Sequence, residues 1–134
     1  MGDLEIAVEA VARLQRCLRE RDVEGAVACF VEDGATYGAD LGEHAHGHEE
    51  LRDFMGLLFK LPVTVGWEFE TIYARRSGDI LWFVAPAQAV VTSSDGTVES
   101  LEFRLSGVLR DTPDGWLFEL FNGTEPVVTD VVSW

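Results

Sequence analysis

The hydrophobic pattern of this chain changes its period once, near Pro62, and this change limits the possible folds more than any other feature. Before it, apolar residues recur every three or four positions, as on the buried face of a helix. After it, the sequence consists of strand-like segments separated by turns. The pattern predicts three helices followed by a β-sheet, which is an α+β arrangement. We expect residues 1–134 to form one domain, because no repeat or linker divides them.

The three predicted helices have recognisable start and stop signals. The first begins near Asp3, which is the candidate N-cap, and Asp22 opens the second, which is shorter. The turn at Asp33-Gly34 is predicted to stop the second helix. The third helix begins near Gly47, carries acidic residues in its first turn, and is closed by Pro62.

Four long strands are predicted after the third helix, with short turns between them. A further short strand, ATYGAD, is predicted between the second and third helices. The four long strands are TVGWEFETIYARR, ILWFVAPAQAVVT, VESLEFRLSGVLR and WLFELFN. Short turns between consecutive strands are typical of an antiparallel meander.

Charge and cysteine content restrict the partners and the compartment. The chain has 10 Lys plus Arg against 24 Asp plus Glu, a formal charge of −14, so nucleic acid and anionic membranes are poor partners. Cys17 and Cys29 fit no zinc spacing and are interpreted as free thiols. The acidic N-terminus does not resemble a signal peptide, and no segment is long and apolar enough to span a bilayer. We therefore expect a cytoplasmic protein.

The order of these segments resembles the nuclear transport factor 2-like superfamily, and within it the SnoaL-like and ketosteroid isomerase-like small bacterial proteins. The segments that carry the resemblance are CFVEDGATYGAD, GHEELRDF, GDILW, LEFRLSGVLR and DGWLFELFNGT. The resemblance implies a cystatin-like cone, in which three N-terminal helices pack on a curved antiparallel or mixed sheet and enclose a pocket. We also expect a homodimer formed through the sheet.

Single positions match the closest group of that superfamily. Gly47 matches its glycine before the third helix, and Trp82 matches its tryptophan in the strand after a turn. Arg104 and Ser106 match an Arg-x-Thr pair. Where relatives end the last strand in His-x-Ser, this chain has Asn-Gly-Thr from Asn122. That difference removes one titratable residue from the implied pocket.

The catalytic residues of ketosteroid isomerase do not carry over. Its base position matches Ala39, and Asp40 lies one residue later, where an extended chain turns the side chain to the opposite face. Ser106 lies near the position of its donor carboxyl group, and Leu14 lies near that of its tyrosine. Steroid isomerisation is therefore not expected.

Polar residues at inward-facing strand positions are the candidate ligand-binding residues of the implied cavity. If Arg104, Ser106 and Val108 face inward, the charge of Arg104 needs a partner. This partner is either an anionic or carbonyl ligand, or a structural carboxylate such as Glu102 or Glu119. The other candidates are Tyr37, Trp82, Gln88, Asn122 and Thr124.

All three histidines lie in the stretch GEHAHGHEELRDF, and three interpretations of it stay open. It is a loop that enters the third helix, or it places His44 or His46 with Asp40 at the cavity mouth as a general acid/base, or it forms a zinc or copper site with His48. Imidazole titrates near neutral pH, so His46 and Asp40 are the first candidates for a proton shuttle. Gly47 makes His48 a first-turn residue, which we expect to turn outward.

The functional expectation is binding of a compact apolar molecule that has a carbonyl or hydroxyl group. If the protein is an enzyme, isomerisation, cyclisation or dehydration without organic cofactor or metal is expected, with Arg104, Tyr37 and Asn122 holding a developing oxyanion. The alternative is a non-catalytic ligand-binding or dimerisation module. The apolar C-terminal segment VVTDVVSW is a further candidate for contact at a sheet edge or with a dimer partner.

Overall fold

The computed structural model of the chain describes residues 2–127. Within this range the chain forms three helices and seven strands. The helices are α1 (Asp3–Glu20), α2 (Val23–Ala28) and α3 (Gly47–Leu58). The strands are β1 (Phe30–Tyr37), β2 (His44–His46), β3 (Val63–Glu68), β4 (Tyr73–Ser77), β5 (Ile80–Ser93), β6 (Val98–Thr112) and β7 (Gly115–Thr124).

The strands form one curved, mixed sheet in the order β2-β1-β7-β6-β5-β3. β4 lies off this path and pairs with the first residues of β5, whereas β3 pairs with its last residues. The β1–β7 pair is parallel, and the other pairs are antiparallel. The three helices pack on this sheet, which confirms the expected α+β fold of the cystatin-like type.

The core lies between the helices and the concave face of the sheet. Alternate side chains of the two longest strands face it, with Leu81 and Phe83 of β5 and Leu105 and Leu109 of β6 fully buried. Leu14 of α1 packs into the same cluster. Each such side chain contributes about 1.5–3 kcal/mol through burial, so these odd-numbered positions determine which face of the sheet is covered by the helices.

The predicted strand TVGWEFETIYARR is two strands in the structure. β3 pairs with residues 88–93 of β5, and β4 pairs with residues 80–84. Pro86 lies between these two pairings, where no strand of residues 2–127 pairs with this edge of β5, and such an unpaired edge tolerates proline.

The predicted turn at Asp33-Gly34 is also wrong, because both residues lie within β1 and α2 has already ended at Ala28. At Gly34 an added Cβ would lie 2.8 Å from the carbonyl oxygen of Phe118 in β7. The glycine therefore marks a close approach of two strand backbones, beside the register shift between β1 and β7, and not a turn. The N-cap predicted at Asp3 is wrong, because Gly2 is the N-cap of α1 and no side chain in the described range bonds its first turn. The start of the second helix at Asp22 is confirmed: the Asp22 carboxylate accepts from the Gly25 N–H at 2.9 Å.

Cys17 and Cys29 are both buried free thiols, as expected from their spacing. Burial, and then the neighbouring Cys29 thiol, raise the pKa of Cys17 to about 11. A thiol with so high a pKa is almost entirely protonated at neutral pH and is a poor nucleophile.

Two further expectations concern the chain as a whole. In the described part of the chain, no helix has the length and apolar character that a membrane crossing requires. The C-terminal segment VVTDVVSW lies outside the described residues except for Val127, so its role in assembly stays a prediction.

Candidate functional site

A cavity of about 360 Å³ opens between the helices and the concave face of the sheet. Apolar side chains from α1, α3 and four strands form most of its wall. They are Leu14, Leu18, Phe54, Met55, Leu58, Val65, Trp67, Ala89, Val91, Leu101, Phe103 and Phe121. The volume and these walls suit a small, largely apolar organic molecule.

Three carboxyl groups, those of Asp40, Glu43 and Glu125, lie at the solvent-exposed side of the cavity. Asp40, Glu43 and Glu125 line it, and Asp40 and Glu125 are exposed while Glu43 is half-buried. The first two belong to the turn between β1 and β2. This turn is closed by the Gly38 N–H, which donates to the Glu43 carbonyl at 2.7 Å, and by the Glu43 N–H, which donates to the Asp40 carbonyl at 3.0 Å. The turn therefore holds both carboxyl groups at the same side of the cavity.

Asp40 and Glu43 form a carboxyl pair. The Asp40 backbone N–H donates to Glu43 Oε1 at 3.2 Å, which holds the two carboxyl groups close together. Burial, and then the hydrogen bond with the Asp40 side chain, raise the pKa of Glu43 above its ordinary value. Glu43 therefore retains its proton at a pH where a solvated glutamate has lost its own.

Trp67 presents a buried polar atom in the cavity wall. Its Nε1 has no hydrogen-bond partner among residues 2–127. The ring packs against Phe121 with centroids 5.1 Å apart, and the Trp67 backbone N–H donates to Gln15 Oε1 at 2.7 Å, which ties β3 to α1. A buried donor without a partner costs about 1–3 kcal/mol, and an oxygen of a bound ligand would supply the missing acceptor.

Of the three predicted acid/base residues, Asp40 lines the cavity, whereas His44 and His46 do not. In β2 the residue between the histidines, Ala45, is the one that faces the core, with 1% exposure. Alternation along the strand turns both imidazoles to the outer face, where the rings stack 5.5 Å apart and His46 Nε2 lies 2.6 Å from Tyr37 Oη. Their expected position at the cavity mouth is therefore wrong.

His48 does not join the other two histidines. It is half-buried, and its Nε2 donates to the Phe30 carbonyl oxygen at 2.8 Å, so the expectation that it turns outward is wrong. Gly47, at φ 81°, reverses the chain between β2 and α3 and separates the His48 ring from those of the strand. Within residues 2–127, no three His, Cys, Asp or Glu side chains are placed to hold a metal ion.

Most of the expected ligand-binding residues lie on the outer face of the sheet. These are Trp82, Gln88, Arg104, Ser106 and Asn122, none of which lines the cavity. The inward orientation predicted for Arg104 and Ser106 is wrong, because Leu105 and Leu109 occupy the buried positions of β6. Side chains of a strand alternate between its two faces, so an error of one residue in the predicted orientation places every side chain on the wrong face. Tyr37 borders the cavity, but its hydroxyl is directed to His46.

On the outer face these polar residues contact one another. Asn122 Nδ2 donates to Ser106 Oγ at 3.3 Å, across the β6–β7 pair. The carboxylates proposed as partners of Arg104 bond other residues: Glu102 accepts from Gln88 at 2.7 Å, and Glu119 pairs with Arg110. Neither structural pair proposed for Arg104 therefore forms.

Sequence reasoning did not identify Glu43 as part of a carboxyl pair, or Trp67 and Glu125 as cavity residues. For Glu43 a signal existed, because Asp40 and Glu43 are three residues apart in a glycine-flanked segment that favours a turn. The one-residue offset that counted against Asp40 does not apply, since β1 ends at Tyr37 and strict alternation ends with it.

The fold and the apolar cavity define a protein of the nuclear transport factor 2-like class, and similar solved structures include proteins described in these words. Residues 8–120 match the SnoaL-like domain family, and the chain belongs to this family. The resemblance derived from the sequence is thus confirmed. No curated protein matches the chain.

Three solved structures show how widely this fold is shared. A candidate aromatic ring hydroxylase from Novosphingobium aromaticivorans has a TM-score of 0.80 at 16% identity, over 94% of this chain and 90% of that one. A ketosteroid isomerase-like protein from Erwinia carotovora atroseptica has a TM-score of 0.73 at 18% identity, over 95% and 98%. A candidate dehydratase from Streptomyces avermitilis has a TM-score of 0.74 at 16% identity, over 94% and 97%. At these identities the similarity shows the fold alone.

Proposed function

We propose that this protein is an enzyme that moves a proton on a compact apolar carbonyl or hydroxyl compound, as an isomerase, cyclase or dehydratase that needs no cofactor. The observation that carries the proposal is the Asp40–Glu43 carboxyl pair at the opening of an apolar cavity. A carboxylate beside a carboxylic acid supplies a base and an acid at one place. The similar structures described as ketosteroid isomerase-like and as a candidate dehydratase support this reaction class.

In the proposed mechanism Asp40 is the base and Glu43 the acid. Asp40 takes a proton from the carbon next to the carbonyl group, the electron pair of that bond forms a carbon–carbon double bond, and the carbonyl oxygen becomes an enolate. The indole N–H of Trp67, at Nε1, is the proposed donor to this oxygen. In a β,γ-unsaturated ketone the carbonyl group re-forms, the double bond moves to the α,β position and the γ-carbon takes the Glu43 proton, which completes an isomerisation. In a β-hydroxy ketone the carbonyl group re-forms, an α,β double bond forms, and the bond from carbon to the hydroxyl oxygen breaks as this oxygen takes the Glu43 proton and leaves as water, which completes a dehydration. The proton on Asp40 then passes to Glu43, which restores the pair.

Deuterium exchange tests this proposal without knowledge of the natural substrate. Compact ketones such as 2-tetralone and 4-phenyl-2-butanone are incubated in D2O with the protein, and loss of the proton signals next to the carbonyl is followed by NMR. We expect faster exchange than with the Asp40→Asn, Glu43→Gln double variant. Native mass spectrometry of the purified protein, before and after denaturation, identifies any retained compound, which joins the panel. Equal exchange rates with the double variant across the panel contradict the proposal.

We also propose that two copies of the chain associate through the outer face of the sheet, in the cytoplasm, where free thiols persist. Tyr73 and Trp82 on this face are 70% and 39% exposed, and their rings stack 6.3 Å apart. Tyr37 is a third exposed aromatic residue, at the β1–β2 end of the same face. Aromatic residues are enriched at protein interfaces, and grouped exposure of this kind supports an interface.

Trp82→Glu is expected to convert the dimer into a monomer, because it places a charge in the centre of a dehydrated contact. Size-exclusion chromatography with light scattering measures the mass. Leu57→Glu is the control, since Leu57 is exposed on α3, away from the sheet. A monomeric wild type, or a dimer that persists in the Trp82→Glu variant, contradicts this interface.

A dimer that exchanges no proton on any ketone supports the non-catalytic alternative, a ligand-binding or dimerisation module.

A further inference from the structure

The ionisable side chains that line the cavity are acidic. Apart from Tyr37 they are the carboxyl groups of Asp40, Glu43 and Glu125, and no Lys, Arg or His side chain of residues 2–127 lines it. Residues 128–134 contain no Lys, Arg or His either. The whole chain carries a formal charge of −14, so the distant charges reinforce the sign of the local ones.

This distribution of charge selects against anions. A cleft with apolar walls and charges of one sign concentrates the electrostatic field at its opening. An anionic group that enters loses its hydration and meets carboxylates of the same sign, without a counter-ion. An ammonium group at the same place is attracted by Asp40 and Glu125, both of which remain partly in contact with solvent.

The aromatic wall adds a second preference of the same kind. Besides Tyr37, four aromatic residues line the cavity: Phe54, Trp67, Phe103 and Phe121. Trp67 and Phe121 pack at an interplanar angle of 48° and therefore present differently oriented surfaces. Aromatic faces attract cations, tryptophan most strongly, and groups of such rings bind ammonium compounds. Aromatic walls and carboxylates at the opening together favour an apolar body with a positive charge.

We propose that the substrate is cationic: a compact apolar compound that carries an ammonium group in addition to its carbonyl or hydroxyl group. This inference rests on the function proposed for the same cavity and specifies its substrate class. The apolar body lies in the cavity, and the ammonium group lies between the aromatic rings and the carboxylates of Asp40 and Glu125. Glu43 contributes less to this attraction than the two exposed carboxylates, because burial raises its pKa and so reduces its negative charge.

Three probes of nearly equal shape test the preference for charge: 4-phenylbutylammonium, 4-phenylbutan-1-ol and 4-phenylbutyrate. Isothermal titration calorimetry at pH 7.5 and low ionic strength measures the dissociation constant of each. We expect the ammonium compound to bind about tenfold more tightly than the alcohol, and the carboxylate to bind more weakly than both. Added salt is expected to weaken binding of the ammonium compound and to leave that of the alcohol nearly unchanged.

A pair of variants locates the effect at the cavity. Glu125→Gln is expected to weaken binding of the ammonium compound about three- to tenfold while the alcohol binds as before. Glu99→Gln, which removes the same charge from an exposed position of β6 outside the cavity, is the matched control and is expected to change neither. The inference is overturned if the alcohol or the carboxylate binds best, if no probe binds, or if the two variants behave alike.

The two proposals fail in distinguishable ways. Exchange of ketone protons that depends on Asp40, together with no preference for the ammonium probe, contradicts the cationic substrate and leaves the proton-transfer function standing. The expected order of probes, together with no exchange on any ketone, contradicts the proton-transfer function and leaves the cation-binding cavity standing.

Discussion

Asp40→Asn is expected to lower the rate of ketone proton exchange by about 10²- to 10⁴-fold, the usual contribution of a positioned general base. The amide has nearly the shape of the carboxylate but cannot accept the proton from carbon. Exchange in D2O, followed by NMR with the same ketones, gives the ratio of rates. Circular dichroism of the variant checks that the chain still folds.

His46→Gln is the matched control for this prediction. It removes the imidazole that pairs with Tyr37 on the outer face and leaves the cavity wall unchanged. We expect its exchange rate to stay close to that of the wild type. A large loss in the His46→Gln variant, or a full rate in the Asp40→Asn variant, would show that the histidine cluster and not the carboxyl pair carries the proton.

The pH dependence of the complete isomerisation or dehydration follows from the pKa of Glu43. Burial is the main reason why this pKa lies above its ordinary value, with the hydrogen bond to Asp40 second. The proton that Glu43 delivers is therefore still present at pH values where a solvated glutamate has lost its own. It is lost as the pH rises through the raised pKa of Glu43. The rate of the complete isomerisation or dehydration, which uses the Glu43 proton, is expected to fall on that alkaline side, and the Glu43→Gln variant, which has no acidic proton, is expected to lack this decrease.

Leu51→Ala is expected to lower the free energy of unfolding by about 2–5 kcal/mol, because it leaves a cavity under α3. Leu51 has 0% exposure and belongs to the cluster that joins α3 to the sheet. Urea unfolding followed by circular dichroism measures the change. A loss of this size is a large part of the stability of a small domain.

The same substitution elsewhere on the same helix provides the comparison. Leu57 lies on α3 with 67% exposure, so Leu57→Ala removes the same atoms without creating an internal cavity. Its effect is expected to stay within about 0.5 kcal/mol. Equal effects of the two substitutions would contradict the packing of α3 on the sheet.

Local signals explain why the helices could be predicted well. The Asp22 carboxylate caps α2 and Gly47 begins α3, and both signals act within a few residues of where they occur. The boundaries that failed depend on distant residues. Gly34 lies in a strand because β7 approaches it, and the break between β3 and β4 exists because each pairs with a different end of β5.

The faces of the strands were harder to predict than their positions. In the segment FRLSGVLR, alternation places Phe103, Leu105 and Leu109 on one face and Arg104, Ser106 and Arg110 on the other, so the pattern itself favours Leu105 inward. The prediction failed because the polar residues were assigned to the implied cavity. Packing against the helices buries Leu105 and Leu109 and leaves Arg104 exposed. In β2, packing likewise buries Ala45, so His44 and His46 face outward.

By itself the sequence determined the α+β class, the three helices, the free thiols and the acidic surface, since these follow from composition and from interactions between residues close in the chain. Only the tertiary structure decided which side chains meet at the cavity. Asp40 and Glu43 come from a turn, Trp67 from β3, and Glu125 from the end of β7. Residues so far apart in the chain are brought together by strand pairing and helix packing, and one sequence carries no local signal for that contact.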